Sequence, residues 1–90
     1  MSAATAWAWG QCAGDPAAKL VLLALAQHAQ GGICWQTPHD LAQACELREL
    51  DVRCAFASLE RRGLICRTVC SDARGRATLA TELRIPRAAR

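Results

Sequence analysis

Apolar and polar positions along the 90-residue chain change their period several times, and each change marks an element. Leu20-Val-Leu-Leu-Ala-Leu-Ala26 is apolar on every side of a helix. Gly14-Asp15-Pro16 announces that helix, with Asp15 as N-cap and Pro16 at the first position. It is expected to run to about Gln30 and to end at Gly31-Gly32. A helix apolar all round is buried on more than one side. Its second side must be covered by the N-terminal segment or by a partner chain. The stretch TPHDLAQACELRELDVRCAFASLERRGLI, residues 37–65, then reads as two short helices joined by a tight turn. Thr37 can cap the first, with Pro38 at its first position and Asp40 completing a capping box weakened by the shorter acid. Leu41, Ala44 and Cys45 share a face of that helix, and Glu46-Leu47-Arg48 forms the turn with Leu47 inward. In the second helix Val52, Ala55, Phe56 and Leu59 fall at i, i+3, i+4 and i+7, a single stripe facing a core. Gly63 stands where a left-handed C-terminal cap is wanted.

After that glycine the period becomes extended. Residues 64–70 and 77–85 read as two antiparallel strands around the polar turn 71–76, where Gly75 can take a positive φ. Leu79, Thr81, Leu83 and Ile85 share one face of the second strand; Thr78, Ala80, Glu82 and Arg84 share the other. Ile33-Cys34-Trp35 is too short to stand alone and is expected to pair with this hairpin. Residues 1–6 have nothing to hold them and are expected to fray. Trp7 and Trp9, two apart, point away from each other in a strand or a helix, so one surface cannot easily bury both.

The order of these pieces resembles the winged type of helix-turn-helix in small phage and plasmid DNA-binding proteins, of the replication-protein or repressor kind. Besides residues 37–65, the similarity includes KLVLLALA at 19–26, the G-x-C-W segment at 32–35 and the two-stranded wing at 64–85. It implies a mainly α fold with a small β wing (α+β), three helices plus a two- to three-stranded antiparallel sheet. An N-terminal segment (1–14) would precede the domain (15–86), and a basic tail (87–90) would follow it. The second helix of the pair would be the recognition helix, its N-terminal half lying in the major groove. Projected at 100° per residue, its face opposite Phe56 carries Leu50, Arg53, Cys54, Ala57, Ser58 and Arg61. Arg53 would take a guanine bidentately, Glu49 or Asp51 would accept from cytosine N4, and Leu50 would touch a thymine methyl. Arg48 would reach a phosphate or a base. Thr37 and His39 are phosphate candidates, and Arg74 and Arg76 at the wing tip would straddle the backbone or enter the minor groove. The chain departs from the family at two points. Arg48 stands where Ser, Thr or Asp usually caps the recognition helix, and Glu49 and Asp51 add acids that repel phosphate while suiting the helix dipole.

Charge sharpens the picture. Residues 1–60 hold Lys19, Arg48 and Arg53 against six acids, a balance of −3. Residues 61–90 hold eight arginines against Asp72 and Glu82, a balance of +6. An Arg-rich last third suits a phosphate-contacting surface. The six cysteines (12, 34, 45, 54, 66 and 70) include no C-x-x-C pair, and His28 and His39 add no zinc-like spacing. Free, mostly buried thiols are expected, as in a reducing cytosol. Cys66 and Cys70 lie on one strand, facing the same way but too far apart to bond. No Gly-rich phosphate loop, nucleophile elbow or metal-binding His pair appears, so neither an enzyme, a cofactor, a metal nor a small-molecule substrate is indicated. No secretory signal is visible, and the seven-residue apolar run is far short of the roughly 20 that span a bilayer. A cytoplasmic protein is expected.

The function expected is a sequence-specific double-stranded DNA-binding regulator, a plasmid or phage repressor. The alternatives are an origin-binding replication module and a winged helix turned to protein contacts, as an inhibitor or adaptor. A two-fold homodimer on a near-palindromic operator is expected, with Trp7, Trp9 and Leu22 as its interface.

Overall fold

The computed structural model describes residues 2–71 and 74–86. Among them the order is α1 (Ala3–Trp9), α2 (Pro16–His28), β1 (Ile33–Cys34), α3 (Pro38–Cys45), α4 (Glu49–Arg61), β2 (Ile65–Ser71) and β3 (Ala77–Leu83). The strands form one antiparallel sheet in the order β1-β3-β2. This is the α+β winged helix-turn-helix architecture with one helix more than expected. Met1, Asp72 and Ala73 of the wing turn, and the basic tail 87–90 lie outside the described residues.

For residues 2–6 the extra helix corrects the expectation that they fray. Ser2 caps α1 by accepting from the Thr5 N–H at 3.1 Å, and α1 packs along α2. Ala8 of α1 is fully buried, and Trp7 leans on the core. What holds the helix down is Lys19 of α2. Its ammonium donates to the carbonyls of Trp9 and Gln11, both at 2.6 Å, and lies 5.9 Å from the Trp9 ring centre. A cation on the unsatisfied carbonyls of a helix C-terminus is a favourable arrangement. The all-round apolar character of α2 thus finds its second cover within the same chain. Leu22, expected at a dimer interface, is fully enclosed in the monomer core and cannot serve there.

That core joins Val21, Leu22 and Leu25 of α2 to Leu41 of α3, Val52, Phe56 and Leu59 of α4, and Ile65 and Leu83 of the sheet. On α3 the buried positions are Leu41 and Ala42, with Cys45 half-buried; Ala44, expected to share a face with Leu41 and Cys45, is exposed. α2 stops at His28, two residues before the expected end. Gln30 and Ile33 exchange backbone hydrogen bonds at 2.9 and 3.1 Å around Gly31-Gly32. With φ of 60° and 82°, the two glycines turn this small hairpin in the left-handed sense that matches strand twist.

β1 pairs Cys34 with Thr81 of β3, and β2 pairs with β3 from Ile65↔Leu83 to Ser71↔Ala77. The face shared by Ile65, Arg67, Cys34, Thr81 and Leu83 closes the core. Farther out on the same face, Val69 and Leu79 stand opposite each other and are 66% and 52% exposed. The hairpin runs past the helices that would cover them, so the expected apolar face of β3 is inside only at its last positions. Of the six thiols only Cys34 is buried, and burial pushes its ionisation up. Cys12 and Cys54 are exposed and the other three half-buried, which corrects the expectation that most would be enclosed.

Candidate nucleic-acid interface

The two helices of the motif are held at both ends by local chemistry. Thr37 and Asp40 complete a capping box: the Thr37 hydroxyl accepts from the Asp40 N–H at 3.1 Å, and Asp40 accepts from the Thr37 N–H at 3.2 Å. The shorter acid therefore still closes both bonds. α3 ends with Glu46 in the left-handed region, φ 57°, where Leu47 donates back to the Ala42 carbonyl at 3.0 Å. This bend brings α4 across α3 and turns Leu47 toward the core. α4 ends on Gly63, φ 73°, with Gly63 N–H on Glu60 and Leu64 N–H on Leu59, both at 3.0 Å. Both ends are Schellman closures, which fix the exit direction of the chain.

With Val52, Ala55, Phe56 and Leu59 turned inward, α4 presents Leu50, Arg53, Cys54, Ala57 and Arg61 to solvent, Leu50 at 63%. Ser58 is half-buried. On one flank, the N-terminal end of α2 (Asp15, Ala17) and α4 residues Asp51, Cys54, Ser58 and Arg61 line a cleft of 380 Å³. His39 at the start of α3 borders the first turn of α4, and both Thr37 and His39 are exposed. Arg74 and Arg76 are exposed at the far end of the wing.

The charges of α4 are arranged in a way that sequence alone did not reveal. Arg48, the N-cap, makes no side-chain cap bond; its guanidinium instead donates to both Asp51 oxygens at 3.0 and 3.1 Å. Arg53 donates to Glu49 Oε2 at 2.7 and 3.2 Å, and His39 Nδ1 lies 3.5 Å from Glu49 Oε1. The hydrogen bond from Arg53 chiefly holds the Glu49 carboxyl below its ordinary value, and the bond from Arg48 does the same for Asp51. The N-terminal half of the helix is consequently self-neutralised, two cations against two acids, around the exposed Leu50. Arg61, in the last turn, is the next cation on the outward face.

Residues 15–65 match the model of a helix-turn-helix domain family, more than half of the chain. The chain belongs to that helix-turn-helix family. No curated protein and no solved structure matches it. Membership supports binding to DNA and a regulatory role, and helix-turn-helix domains are typically not enzymes. The matched span covers α2 through the start of β2 and leaves out α1 and the outer wing. No helix among the described residues is long and apolar enough to cross a membrane, and no group of three or more His, Cys, Asp or Glu there could hold a metal ion.

Two arginines that brace the neighbouring elements are not plainly marked by the sequence pattern. Arg67 lies on the inner face of β2 with its guanidinium 4.7 Å from the Phe56 ring centre, bracing the wing root against α4. Its Nε is buried without a partner. Arg62 reaches the Cys12 carbonyl at 3.4 Å, and its guanidinium lies so close to Gly14 (φ 101°) that a Cβ there would meet Nη2 at 2.6 Å. The alternation of β2 marks Arg67 as inward, a signal that its charge disguises. Nothing local marks Arg62, which acts fifty residues away in sequence.

Proposed function

We propose that this helix-turn-helix protein is a sequence-specific transcriptional regulator of double-stranded DNA. It represses by occupying an operator, in the manner of small plasmid and phage regulators. The observation that carries this reading is the exposed outer face of α4, fixed on both sides by Schellman closures and flanked by the capped start of α3 and a protruding arginine-bearing wing. Leu50, Cys54 and Ala57 meet base edges, with Arg48, Glu49, Asp51 and Arg53 in the first turns deciding which bases are accepted. Arg61, Thr37, His39, Arg74 and Arg76 hold the backbone. Two copies on a near-palindromic site, half-site centres one helical turn or about 34–36 Å apart, double the readout.

A second reading has its own observation. The self-neutralised start of α4 around Leu50 suits a protein groove better than a phosphate array, which favours a winged-helix inhibitor or adaptor. A gel shift and footprint on the DNA flanking the protein's own coding region, run over a salt series, separates the two. The DNA reading expects a protected site and a slope of about −0.9 in log K against log salt for each phosphate contacted. No binding at low salt would overturn it in favour of a protein partner.

A further inference from the structure

Three surface features are left over once the recognition face is assigned. The exposed pair Val69/Leu79 is a small apolar step on the wing, and nothing in the structure shows what covers it. The cleft beside the start of α2 is walled by Asp15 and Asp51 and belongs to the flank of α4. The third is larger and lies elsewhere: a groove of 470 Å³ between α1, α2 and α3, to which no residue of α4 contributes. Trp9 of α1, Leu20, Leu23 and Ala24 of α2, and Cys45 of α3 are among the residues that line it, and the Trp9 ring is largely exposed.

We propose that this groove receives Trp9 of a second copy of the chain, and that the copies exchange tryptophans about a two-fold axis. A knob beside a hollow on one surface is what an isologous interface requires, since each contact must occur twice. Trp9 is 58% exposed and Leu20 42%, so two of the largest uncovered apolar side chains lie at the same place. The tryptophan is pre-positioned: Lys19 grips the Trp9 carbonyl at 2.6 Å and lies against the ring, and Gln11 Nε2 donates to the Trp7 carbonyl at 3.0 Å. Insertion thus orders little that is not ordered already, which lowers the cost of association.

Charge selects the occupant. None of the nine residues lining the groove is Asp, Glu, Lys or Arg, and residues 1–14 contain no charged side chain. Lys19 beside the Trp9 ring has its ammonium engaged by the carbonyls of Trp9 and Gln11. The groove lining itself therefore offers an anionic lipid, a nucleic acid or a charged peptide no ion pair, and two copies meet through uncharged walls. Area sets the strength. At 58% exposure Trp9 has roughly 150 Å² left to bury, and the groove walls add a few times that. The interface therefore falls at or below the small end of specific complexes, about 1,200 Å² in total, where association is micromolar and DNA completes it. Because α4 lies outside the groove, both recognition helices stay open.

The proposal rests on the two-copy reading of operator binding, and sedimentation of the full chain without DNA tests the two apart. Wild type, Trp9→Ala and Ala24→Glu are compared at about 1–200 µM, a range that brackets micromolar association. Circular dichroism confirms that each is folded. Wild type is expected to be dimeric at the upper end, and both variants monomeric throughout, Ala24→Glu because it sets two like charges in the paired grooves. In a mixture of the two variants each copy lacks either its knob or its hollow, so full dimerisation is not restored. A wild type that stays monomeric overturns the proposal and the solution dimer together. Dimers undiminished by both substitutions overturn the groove alone and leave the two-copy operator reading standing. A monomer that still protects DNA leaves the DNA-binding reading intact.

Discussion

Glu49 is the residue whose change should reveal most about recognition. One carboxylate holds Arg53 at 2.7 and 3.2 Å and has His39 within 3.5 Å. While this clamp is closed, the cation best placed on the first turns of α4 is engaged within its own helix. Glu49→Gln keeps the length of the side chain and removes the negative charge, so the local balance of Arg48, Glu49, Asp51 and Arg53 moves from zero to +1. If Arg53 then reaches one more phosphate, the slope of log K against log salt should steepen by about 0.9. Extrapolated from 1 M, that increment makes binding at 0.1 M about eightfold tighter on a scrambled duplex. The specific site gains less, because an Arg53 drawn to a phosphate gives up its base edge, so the ratio between them narrows. The helix itself tolerates the change, because exposed i,i+4 pairs contribute little to folding. Fluorescence anisotropy with operator and scrambled duplexes, from about 50 to 200 mM salt, reads both quantities. Adding Arg53→Ala closes a double-mutant cycle. The reasoning fails if the slope is unchanged, or if the gain survives without Arg53. Arg53→Ala alone should cost about 1–3 kcal/mol at the specific site and relax one base position.

Four further outcomes follow from the same geometry. Replacing Arg74 and Arg76 by Ala should weaken all duplexes alike, since wing contacts position without reading bases; a change of preferred sequence in a binding-site selection would contradict this. Thr37→Ala opens the capping box of α3 and should lower stability by about 1 kcal/mol in urea denaturation. Glu46→Gly relieves the left-handed backbone at φ 57° and should raise stability by about 0.5–1 kcal/mol in the same assay, with DNA binding retained. Glu49 and Asp51 have folded ionisations depressed by their arginine partners, so their stabilising contribution is fully present above the ordinary values of 4.5 and 3.8. It should be lost as pH falls through the lower folded values, seen as a small decline in melting temperature below pH 4.5 that Glu49→Gln reduces while the Asp51 part remains.

Much of the architecture was written locally. The caps at Asp15 and Thr37, the glycine at 63, the stripe Val52-Ala55-Phe56-Leu59 and the turn around Gly75 each act within a few residues of themselves. A helical period or a cap can therefore be read without knowing what lies opposite. The outward set of α4 followed from the same period, since fixing the inner face fixes the outer one. Where local signals competed, the chain decided otherwise. The Gly31-Gly32 turn drew Gln30 out of α2 into a bridge, and the burial of β3 stopped where the helices above it ended, leaving Leu79 in water.

Tertiary structure decided how charge and surplus apolar surface are used. Sequence offered Arg48, Glu49, Asp51 and Arg53 as four independent readers of DNA. Helical geometry at i,i+3 and i,i+4, with His39 brought over from α3, tied them into two ion-paired units. Sequence also left α2 needing a second cover without saying which surface supplied it. The answer depended on Lys19 reaching two carbonyls at the end of α1 and on Arg62 fitting against Gly14, contacts eight to fifty residues apart. Such pairings depend on where folded elements come to rest, and no periodicity in the chain encodes that distance. Burial followed the same logic: Leu22 and Trp9 look equally apolar in the sequence, yet packing enclosed one and left the other standing over an open groove.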